Sequence, residues 1–303
     1  MRKRFSPQQH LNPQNSFAAF RAMIESPELD FLMEAHDGLS AKIVASSGFR
    51  GLWASGLAMA TAMGLRDANE ASLSEIIDVL DRMEQAVDIP IMLDGDTGFG
   101  NFNNVRRMVR RLCKIGIAAV CIEDKLFPKI NSFFGVRQPL ADIDEFTGKI
   151  RAAKDTQTND DFTVVARVEA LIAGQGMKAA LERATAYRQA GADAILIHSR
   201  KPDANEILTF AREWAGRAPL AIIPTTYYTT PTAEFRDANI NLIIWANHTL
   251  RASLSAMKKL TLKIAETESI ADTENDIASI DEIFSIMNYK ELKHSEEKYL
   301  PKK

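Results

Sequence analysis

Short apolar runs that end in polar or turn-forming residues recur along most of the chain. Eight of them begin at intervals that average about 30 residues, which is the length of one βαβ unit. They are LDFLMEAHDG from position 29, GLWASG from 51, PIMLDGDTG from 90, AAVCIEDK from 118, TVVARVEA from 163, AILIHSR from 194, LAIIPTT from 220 and LIIWAN from 242. Nearly continuous apolar runs, unlike alternating ones, are typical of parallel strands that are buried on both faces.

Eight parallel strands joined by helical segments predict a (β/α)8 TIM-type barrel over residues 29–266, and an open doubly wound sheet is the alternative. Helices are predicted over 72–85 and 248–266 from their apolar spacing. Residues 1–28 begin with basic residues but lack the apolar stretch of a signal peptide, so we expect a solvated N-terminal extension there.

The C-terminal residues 267–303 have a separate pattern. Ser279 and Glu282 form a capping box in front of a helix with an apolar face. The predicted barrel leaves no strand for that face to cover. We therefore expect a C-terminal helical extension that packs on another subunit and is swapped between the subunits of a homo-oligomer.

The apolar runs end in residues that carry chemistry. Because the C-terminal ends of barrel strands converge on one mouth, residues far apart in sequence become neighbours there. The polar residues at these ends are Ser55, Asp94, Asp96, Glu123, Asp124, Arg167, Glu169, His198, Thr225 and Asn247. Any one of them has the alternative interpretation of a polar residue at the start of a turn. Together, the carboxylates, the guanidinium and the imidazole predict an active site.

Three of these acids predict a metal site. Asp94, Asp96 and Glu123 offer oxygen atoms only, and hard oxygen ligands suit Mg²⁺, which binds one or two carboxylates and keeps several waters. The alternative is that these acids pair with Arg66 or Arg167 and bind no metal.

Cationic groups at the same mouth predict an anionic small-molecule substrate. The guanidinium fork of Arg167 suits a carboxylate or phosphoryl group, and His198 adds a hydrogen-bonding ring. Lys129 lies in the aperiodic segment KLFPKINSFFGVRQPL, which begins at 125 and is typical of a lid or binding loop. The alternatives are a structural ion pair for Arg167 and a buried structural role for His198.

Composition narrows the function classes. The 303 residues hold 37 basic and 40 acidic side chains, for a formal charge of −3, so we expect no nucleic-acid partner. No apolar run is long enough to suggest a membrane span. Cys113 and Cys121 are the only cysteines, which predicts a reduced, cytoplasmic protein. One basic cluster alternates with apolar residues at helical spacing and is expected on the exposed face of a helix: Arg106, Arg107, Arg110, Arg111 and Lys114.

Longer motifs resemble a known family. They are SGL at 55–57, GLRDANE at 64–70, DGDTGFGN at 94–101, EDKLFPKINS at 123–132, ARVEA at 166–170, DAILIHSR at 193–200, IWANHTLRAS at 244–253 and EEKYLP at 296–301. From about Leu29 to the end, the chain resembles the phosphoenolpyruvate mutase branch of the phosphoenolpyruvate mutase/isocitrate lyase superfamily. The resemblance implies Mg²⁺-dependent intramolecular phosphoryl transfer between phosphoenolpyruvate and 3-phosphonopyruvate, which makes the C–P bond of phosphonate biosynthesis. It also implies a dimer or tetramer and a phosphonopyruvate decarboxylase as metabolic partner.

The resemblance also implies roles for individual residues. Asp94 resembles the direct magnesium ligand, with Asp96 and Glu123 holding metal-bound waters. Arg167 and His198 resemble groups that contact the transferring phosphoryl group and the enolate. The substrate carboxylate would be received by three successive residues, Ser55, Gly56 and Leu57.

On the loop, Lys129 and Asn131 look like the pair that closes over the phosphoryl group, and Ser132 is a further expected substrate-binding residue. Asp67 matches the proposed nucleophile of the family. Sequence leaves two routes open, a metaphosphate-like group that stays beside the enolate or an aspartyl phosphate on Asp67.

Two related activities are the main alternatives. Phosphonopyruvate hydrolase has a threonine-containing loop sequence where this chain has Asn131. Lyases of the isocitrate lyase type carry a KKCGH-like loop with a catalytic cysteine, and this loop has none. The segment FFGVRQPL after Ser132 departs from the mutase pattern by being shorter and more apolar. We therefore expect Phe133 and Phe134 to hold the loop partly closed.

Overall fold

The computed structural model describes residues 13–135 and 138–301. Its eight strands are parallel and form a closed barrel in which β8 pairs with β1, as predicted. The strands are β1 Asp30–Ala35, β2 Leu52–Ala54, β3 Ile91–Asp94, β4 Ala119–Glu123, β5 Thr163–Val168, β6 Ala194–Ile197, β7 Leu220–Ile222 and β8 Leu242–Trp245. The open-sheet alternative is therefore wrong.

Helices lie between the strands, before β1 and after β8. They are α2 Gly38–Ser46, α3 Gly56–Ala62, α4 Leu73–Ala86, α5 Phe102–Lys114, α6 Ile143–Lys154, α7 Gly176–Gln189, α8 Asn205–Trp214, α9 Thr232–Asp237 and α10 His248–Thr267, after α1 Pro13–Glu25. The predicted helix over 72–85 is α4, which begins after the N-cap Ser72. The basic cluster lies on α5, whose buried face holds Val105, Met108 and Leu112, as the spacing predicted.

Strand register sets which side chains meet inside the barrel. Paired residues of parallel strands point to the same face, and Glu123 on β4 pairs with Arg167 on β5. Both line the pocket at the mouth. Asp124, the next residue along the chain, points outward and contacts Arg183 on α7. The alternation of a strand therefore separates neighbouring acids into two environments.

Helix α1 packs on the barrel. Phe17, Phe20 and Met23 are buried, and the ring of Phe17 lies 6.4 Å from that of Phe162. Arg21 Nη1 lies 2.8 Å from Asp193 Oδ1. The expectation of a solvated extension is wrong for this helix, because its apolar residues fall on one face that the barrel covers. Residues 1–12, which the same expectation included, lie outside the described residues.

The described chain divides into two compact units, one ending at His248 and one beginning at Thr249. The second holds nearly all of α10, a short 3₁₀ turn, α11 Ile280–Ile286 and α12 Tyr289–Tyr299. The predicted capping box is present at the start of α11. The predicted limit at 266 matches the end of α10 but not the start of this unit, so the domain limits stay a prediction, and residues 302–303 lie outside the described residues.

Candidate active site

The predicted residues meet at the C-terminal mouth of the barrel. Ten of the twelve line one pocket: Ser55, Leu57, Asp67, Asp94, Glu123, Lys129, Asn131, Ser132, Arg167 and His198. The other two, Gly56 and Asp96, line an adjoining cavity that shares Asp67 and Asp94 with the pocket. Strands β2 to β6, the turn before α4 and the loop after β4 all contribute to this mouth.

Three acids lie at or just beyond the neighbouring ends of β3 and β4. Asp94 ends β3, and Asp96 follows in a left-handed backbone conformation with φ of 49°. The backbone N–H of Glu123 donates to the carbonyl of Asp96 over 2.7 Å, which ties the two strand ends together. Gly56 donates its N–H to Asp94 Oδ2 over 3.3 Å. A Cβ atom at Gly56 would stand 3.1 Å from Asp96 Oδ1, so only glycine allows this approach without a shift.

The donor set fits a hydrated divalent cation. Within the described parts of the chain, no three His, Cys, Asp or Glu side chains stand together as a ready-made metal group. Glu123 Oε1, however, is buried and has no hydrogen-bond partner. An oxygen-only set of this kind matches Mg²⁺, which keeps most of its waters, and does not match the nitrogen and sulfur ligands of zinc. Arg66, one alternative partner of these acids, pairs with Glu70 instead.

The loop after β4 places Lys129 among carboxylates. Its Nζ lies 2.7 Å from Asp67 Oδ1 and also contacts Asp96 Oδ1. Burial alone would lower the pKa of Lys129, but the carboxylates of Asp96 and Asp67 raise it well above its ordinary value. The lysine is therefore a fixed positive charge at the mouth. Asn131 Nδ2 donates to Asp67 Oδ2 over 2.6 Å, so two loop residues hold this one carboxylate.

Asp67 and Asp96 differ in how readily they take a proton. Burial disfavours the charged form of Asp67, but Lys129 and Asn131 outweigh it and lower the pKa of that carboxyl. Burial raises the pKa of Asp96 to about 7; Lys129 opposes this shift, and Asp94 and Asp67 add to it. A divalent cation beside Asp96 would favour its carboxylate form. Asp67 is thus ionised at neutral pH, as a nucleophile must be.

Arg167 and His198 share one carboxylate, that of Glu169. Arg167 Nε lies 2.6 Å and His198 Nδ1 lies 2.8 Å from Glu169 Oε1. Arg167 Nη2, which only donates, also lies 2.9 Å from His198 Nδ1, whereas Glu169 Oε1 only accepts, so the two contacts favour opposite tautomers of the ring. Burial lowers the pKa of His198, which keeps the ring neutral. Its Nε2 is buried and has no hydrogen-bond partner, and the residue lines the pocket.

Arg167 is both a structural ion-pair partner and a residue of the pocket. It lies 3.3 Å from Glu123 Oε2 and is paired with Glu169, so it is a structural ion-pair partner, and it also lines the pocket. Burial would lower the pKa of Arg167, but Glu169 and Glu123 raise it well above its ordinary value.

Ser55 caps the short helix α3. Its Oγ accepts a hydrogen bond from the N–H of Ala58 over 3.3 Å. A hydroxyl that accepts one bond still has its own proton to donate. Ser55 can therefore hold the helix and contact a ligand at the same time.

Sequence reasoning missed three residues that support the loop. Asn69 donates to Asp96 over 2.8 Å and accepts from the N–H of Lys129 over 2.7 Å. The hydroxyl of Ser132 accepts from Lys125 Nζ over 2.6 Å and donates to Glu169 Oε2 over 2.7 Å. Asn69 lies in the motif GLRDANE and Glu169 follows β5, so their positions in the sequence pointed to the site. The sequence does not show which residues they contact.

The two phenylalanines of the loop behave differently. The ring of Phe133 meets His198 edge-on at 5.7 Å, whereas Phe134 is 76% exposed. Phe133 is therefore placed to hold the loop over the pocket, and the expectation is wrong for Phe134. Positions 136 and 137 of the same segment lie outside the described residues.

The chain is similar to characterised proteins over nearly its whole length. A sequence model of the family described as phosphoenolpyruvate phosphomutase matches residues 20–265. A phosphoenolpyruvate phosphomutase of Tetrahymena pyriformis is 53% identical, over 92% of this chain and 93% of that protein. The crystal structure of a phosphoenolpyruvate phosphomutase from Streptomyces platensis subsp. rosaceus is 40% identical with a TM-score of 0.92, covering 94% and 100%.

A hydrolase is also similar. The structure of a phosphonopyruvate hydrolase in complex with oxalate and Mg²⁺ is 37% identical with a TM-score of 0.89, over 94% of this chain and 99% of that one. Among the described residues, no helix combines the length and apolar character needed to cross a membrane.

Proposed function

The chain belongs to the phosphoenolpyruvate phosphomutase family, and from this premise we propose that it interconverts phosphoenolpyruvate and 3-phosphonopyruvate. One observation carries the proposal. Lys129 and Asn131 reach from the loop into the pocket and hold Asp67, opposite Arg167 and His198. Cations and a neutral imidazole thus share with the ionised carboxylate of Asp67 a pocket that the loop helps to line.

The reaction needs no second substrate. The bond from phosphorus to the enol oxygen breaks, and a bond from phosphorus to C3 forms in the same molecule. Between these events a pyruvate enolate and the phosphoryl group must stay together, and water must be excluded. Arg167 would stabilise the enolate and phosphoryl charge, and the loop would supply closure. The ionised Asp67 stands where it would accept the phosphoryl group if an aspartyl phosphate forms.

We propose Mg²⁺ as the cofactor, held by Asp94 directly and by Asp96 and Glu123 through waters. When bound, it would supply positive charge for the developing enolate and phosphoryl oxygens. The buried, partnerless Glu123 Oε1 and the close approach of Gly56 to Asp94 support this assignment. The similar hydrolase crystallised with Mg²⁺ supports it further.

Phosphorus NMR of the purified protein with phosphonopyruvate and Mg²⁺ tests the proposal. The expected product is phosphoenolpyruvate. Inorganic phosphate as the only product would identify a hydrolase, and no conversion would remove both activities. The matched variant is Asn131→Thr, which loses the amide that holds Asp67. We expect it to release more phosphate per turnover than the parent, since a less tightly held site admits water. An unchanged ratio would contradict this role for Asn131.

We propose that the protein is a homo-oligomer, a dimer or tetramer, in which α11 is swapped between subunits. Apolar side chains of the C-terminal unit support this: Ile283 is 46% and Phe284 is 41% exposed, and α10 to α12 bury no residue. Sedimentation of the parent and of Phe284→Asp tests it. A monomeric parent would contradict the proposal.

We propose both a location for the enzyme and a metabolic partner. We propose the cytoplasm, since both cysteines are free. A decarboxylase that consumes phosphonopyruvate would be the metabolic partner, because an irreversible step is needed to draw an uphill C–P bond formation forward.

A further inference from the structure

A buried cluster behind the pocket joins the loop to the barrel wall. Lys125 and Glu169 are 2% and 0% exposed, and neither lines the pocket. The hydroxyl of Ser132 contacts both, 2.6 Å from Lys125 Nζ and 2.7 Å from Glu169 Oε2, and also accepts from Arg167 Nη2 over 3.1 Å. Lys125 Nζ also donates to the carbonyl of Ile130 over 2.9 Å. A lysine at the start of the loop thus binds two points farther along it.

The two oxygens of Glu169 have different partners. Oε1 accepts from Arg167 and lies 2.8 Å from His198 Nδ1, both on the barrel wall. Oε2 accepts from Ser132 and lies 3.2 Å from Lys125 Nζ, both of which belong to the loop. Burial would raise the pKa of Glu169, but Arg167 and His198 lower it well below its ordinary value, so the carboxylate is charged. The buried carboxylate of Glu169 therefore contacts the guanidinium of Arg167, the imidazole of His198 and the loop at the same time.

We propose that Lys125, Ser132 and Glu169 form a latch that holds loop residues 125–135 closed and couples this closure to the orientation of Arg167 and His198. Lys125 and Glu169 act as positioning residues, because they touch pocket residues and not the substrate. The effect on turnover rests on the proposed mutase function, whereas the effect on loop closure does not.

Loss of Lys125 should release the loop and leave the wall in place. The Ile130 carbonyl would lose its charged donor and Ser132 would lose the closer of its two, keeping Arg167 Nη2 at 3.1 Å, while Glu169 would keep its two wall partners. Hydrogen bonds to charged groups in buried sites are among the stronger ones. We therefore expect the open fraction of the loop to rise about tenfold or more in Lys125→Met, since closed and open forms are in equilibrium.

Limited trypsin digestion measures that fraction. Lys129 is 6% exposed, so cleavage after it requires the loop to open, and cleavage of a transiently open segment follows the open population. We expect the fragment that begins at Ile130 to appear about tenfold faster in Lys125→Met than in the parent. Lys125→Arg keeps the charge and should stay within about threefold of the parent. If Lys125→Met folds poorly, Ser132→Ala, which removes only the hydroxyl, should show the same increase.

Lys149→Met is the matched control. Lys149 is equally buried, at 2% exposed, but its Nζ contacts the carbonyl of Thr97 and not the loop. Its cleavage rate after Lys129 should equal that of the parent. Equal rates in Lys125→Met, Lys149→Met and the parent would overturn the latch. A rate in Lys125→Arg as high as in Lys125→Met would overturn it too, because the charge would not be what holds the loop.

Turnover of phosphonopyruvate supplies the second readout. Lys125→Met should raise KM and lower kcat, and Lys125→Arg should restore most of both, which a general loss of stability would not do. Absence of turnover in the parent would contradict the proposed function. The digestion rates would still test whether the latch holds the loop closed. A Lys125→Met variant with faster cleavage and parental kcat and KM would overturn the coupling to Arg167 and His198.

Discussion

Two adjacent residues at the end of β4 lie in buried charge clusters of opposite character. Glu123 faces the pocket with one oxygen 3.3 Å from Arg167 Nε and the other without a partner. Asp124 faces α7 and accepts from Tyr187 Oη over 2.6 Å, from Arg183 Nη1 over 3.1 Å and from the N–H of Glu169 over 2.8 Å. Both carboxyls are nearly inaccessible to solvent.

The difference separates function from stability. A buried polar atom without a partner destabilises the fold, so it persists where a ligand supplies the missing contact. A fully partnered buried acid is satisfied by the fold itself. The cluster around Glu123 therefore leaves one buried oxygen available to the proposed ligand, whereas the cluster around Asp124 joins β4 to α7 with both carboxylate oxygens bonded.

Glu123→Gln should give the largest effect. The substitution keeps the shape and removes the charge beside Arg167. We expect kcat to fall about 100-fold to 1000-fold, the range seen when one preorganised electrostatic contact is lost. The free energy of unfolding should change by less than about 1 kcal/mol, because Arg167 keeps its shorter ion pair with Glu169. Phosphorus NMR and urea denaturation measure the two quantities. A kcat of Glu123→Gln equal to that of the parent would contradict the difference between the Glu123 and Asp124 clusters.

Asp124→Asn should do the reverse. It leaves Arg183 beside Tyr187 without its counter-charge, so the free energy of unfolding should fall by about 3 kcal/mol, as when one partner of a buried pair is removed. The activity of the folded fraction should stay within a few-fold of the parent. Urea denaturation followed by turnover below the transition checks both. A large loss of kcat at parental stability would assign Asp124 to the site after all.

A third buried acid, Glu34 on β1, pairs with His36. Glu34 stands opposite Trp53 inside the barrel, and His36 Nδ1 lies 2.6 Å from Glu34 Oε1. This hydrogen bond raises the pKa of His36 against the effect of burial, and Asp37 adds to it. The folded pKa exceeds the unfolded one, so the stabilisation is present at low pH and is lost as pH rises through the folded pKa.

The expected effect is smaller than that at Asp124, because the ring of His36 is partly solvated. NMR titration of His36 should give a pKa above its ordinary value near 6.5. His36→Gln should flatten the pH dependence of unfolding above that value. A titration at or below the ordinary pKa would place His36 outside any paired cluster.

The exposed pair Lys178 and Glu182 should give the smallest effect. Their charged atoms lie 3.8 Å apart, and the two side chains are 90% and 59% exposed. Such pairs contribute about 0.5 kcal/mol or less within a helix. Lys178→Ala should therefore leave urea denaturation and turnover almost unchanged. A loss comparable to that of Asp124→Asn would mean that burial is not what distinguishes the clusters.

Part of the site was predictable because its signals are local. Asp94 and Glu123 end apolar runs, and the barrel brings strand ends to one mouth regardless of their distance in sequence. The roles of Lys129 and Asn131 came from a motif. By contrast, Lys125 and Glu169 were not assigned, since each ends or follows a strand in the same way as residues without a role.

The sequence by itself determined the eight strands, the amphipathic helices and the set of charged residues at the mouth, because periodic burial is recorded in neighbouring residues. Only the tertiary structure decided which of these charges pair. The contact of Asn131 with Asp67 and that of Ser132 with Glu169 join residues 64 and 37 positions apart. Such pairs depend on how the loop folds over the closed barrel. No pattern of neighbouring residues shows a contact between residues so far apart in sequence.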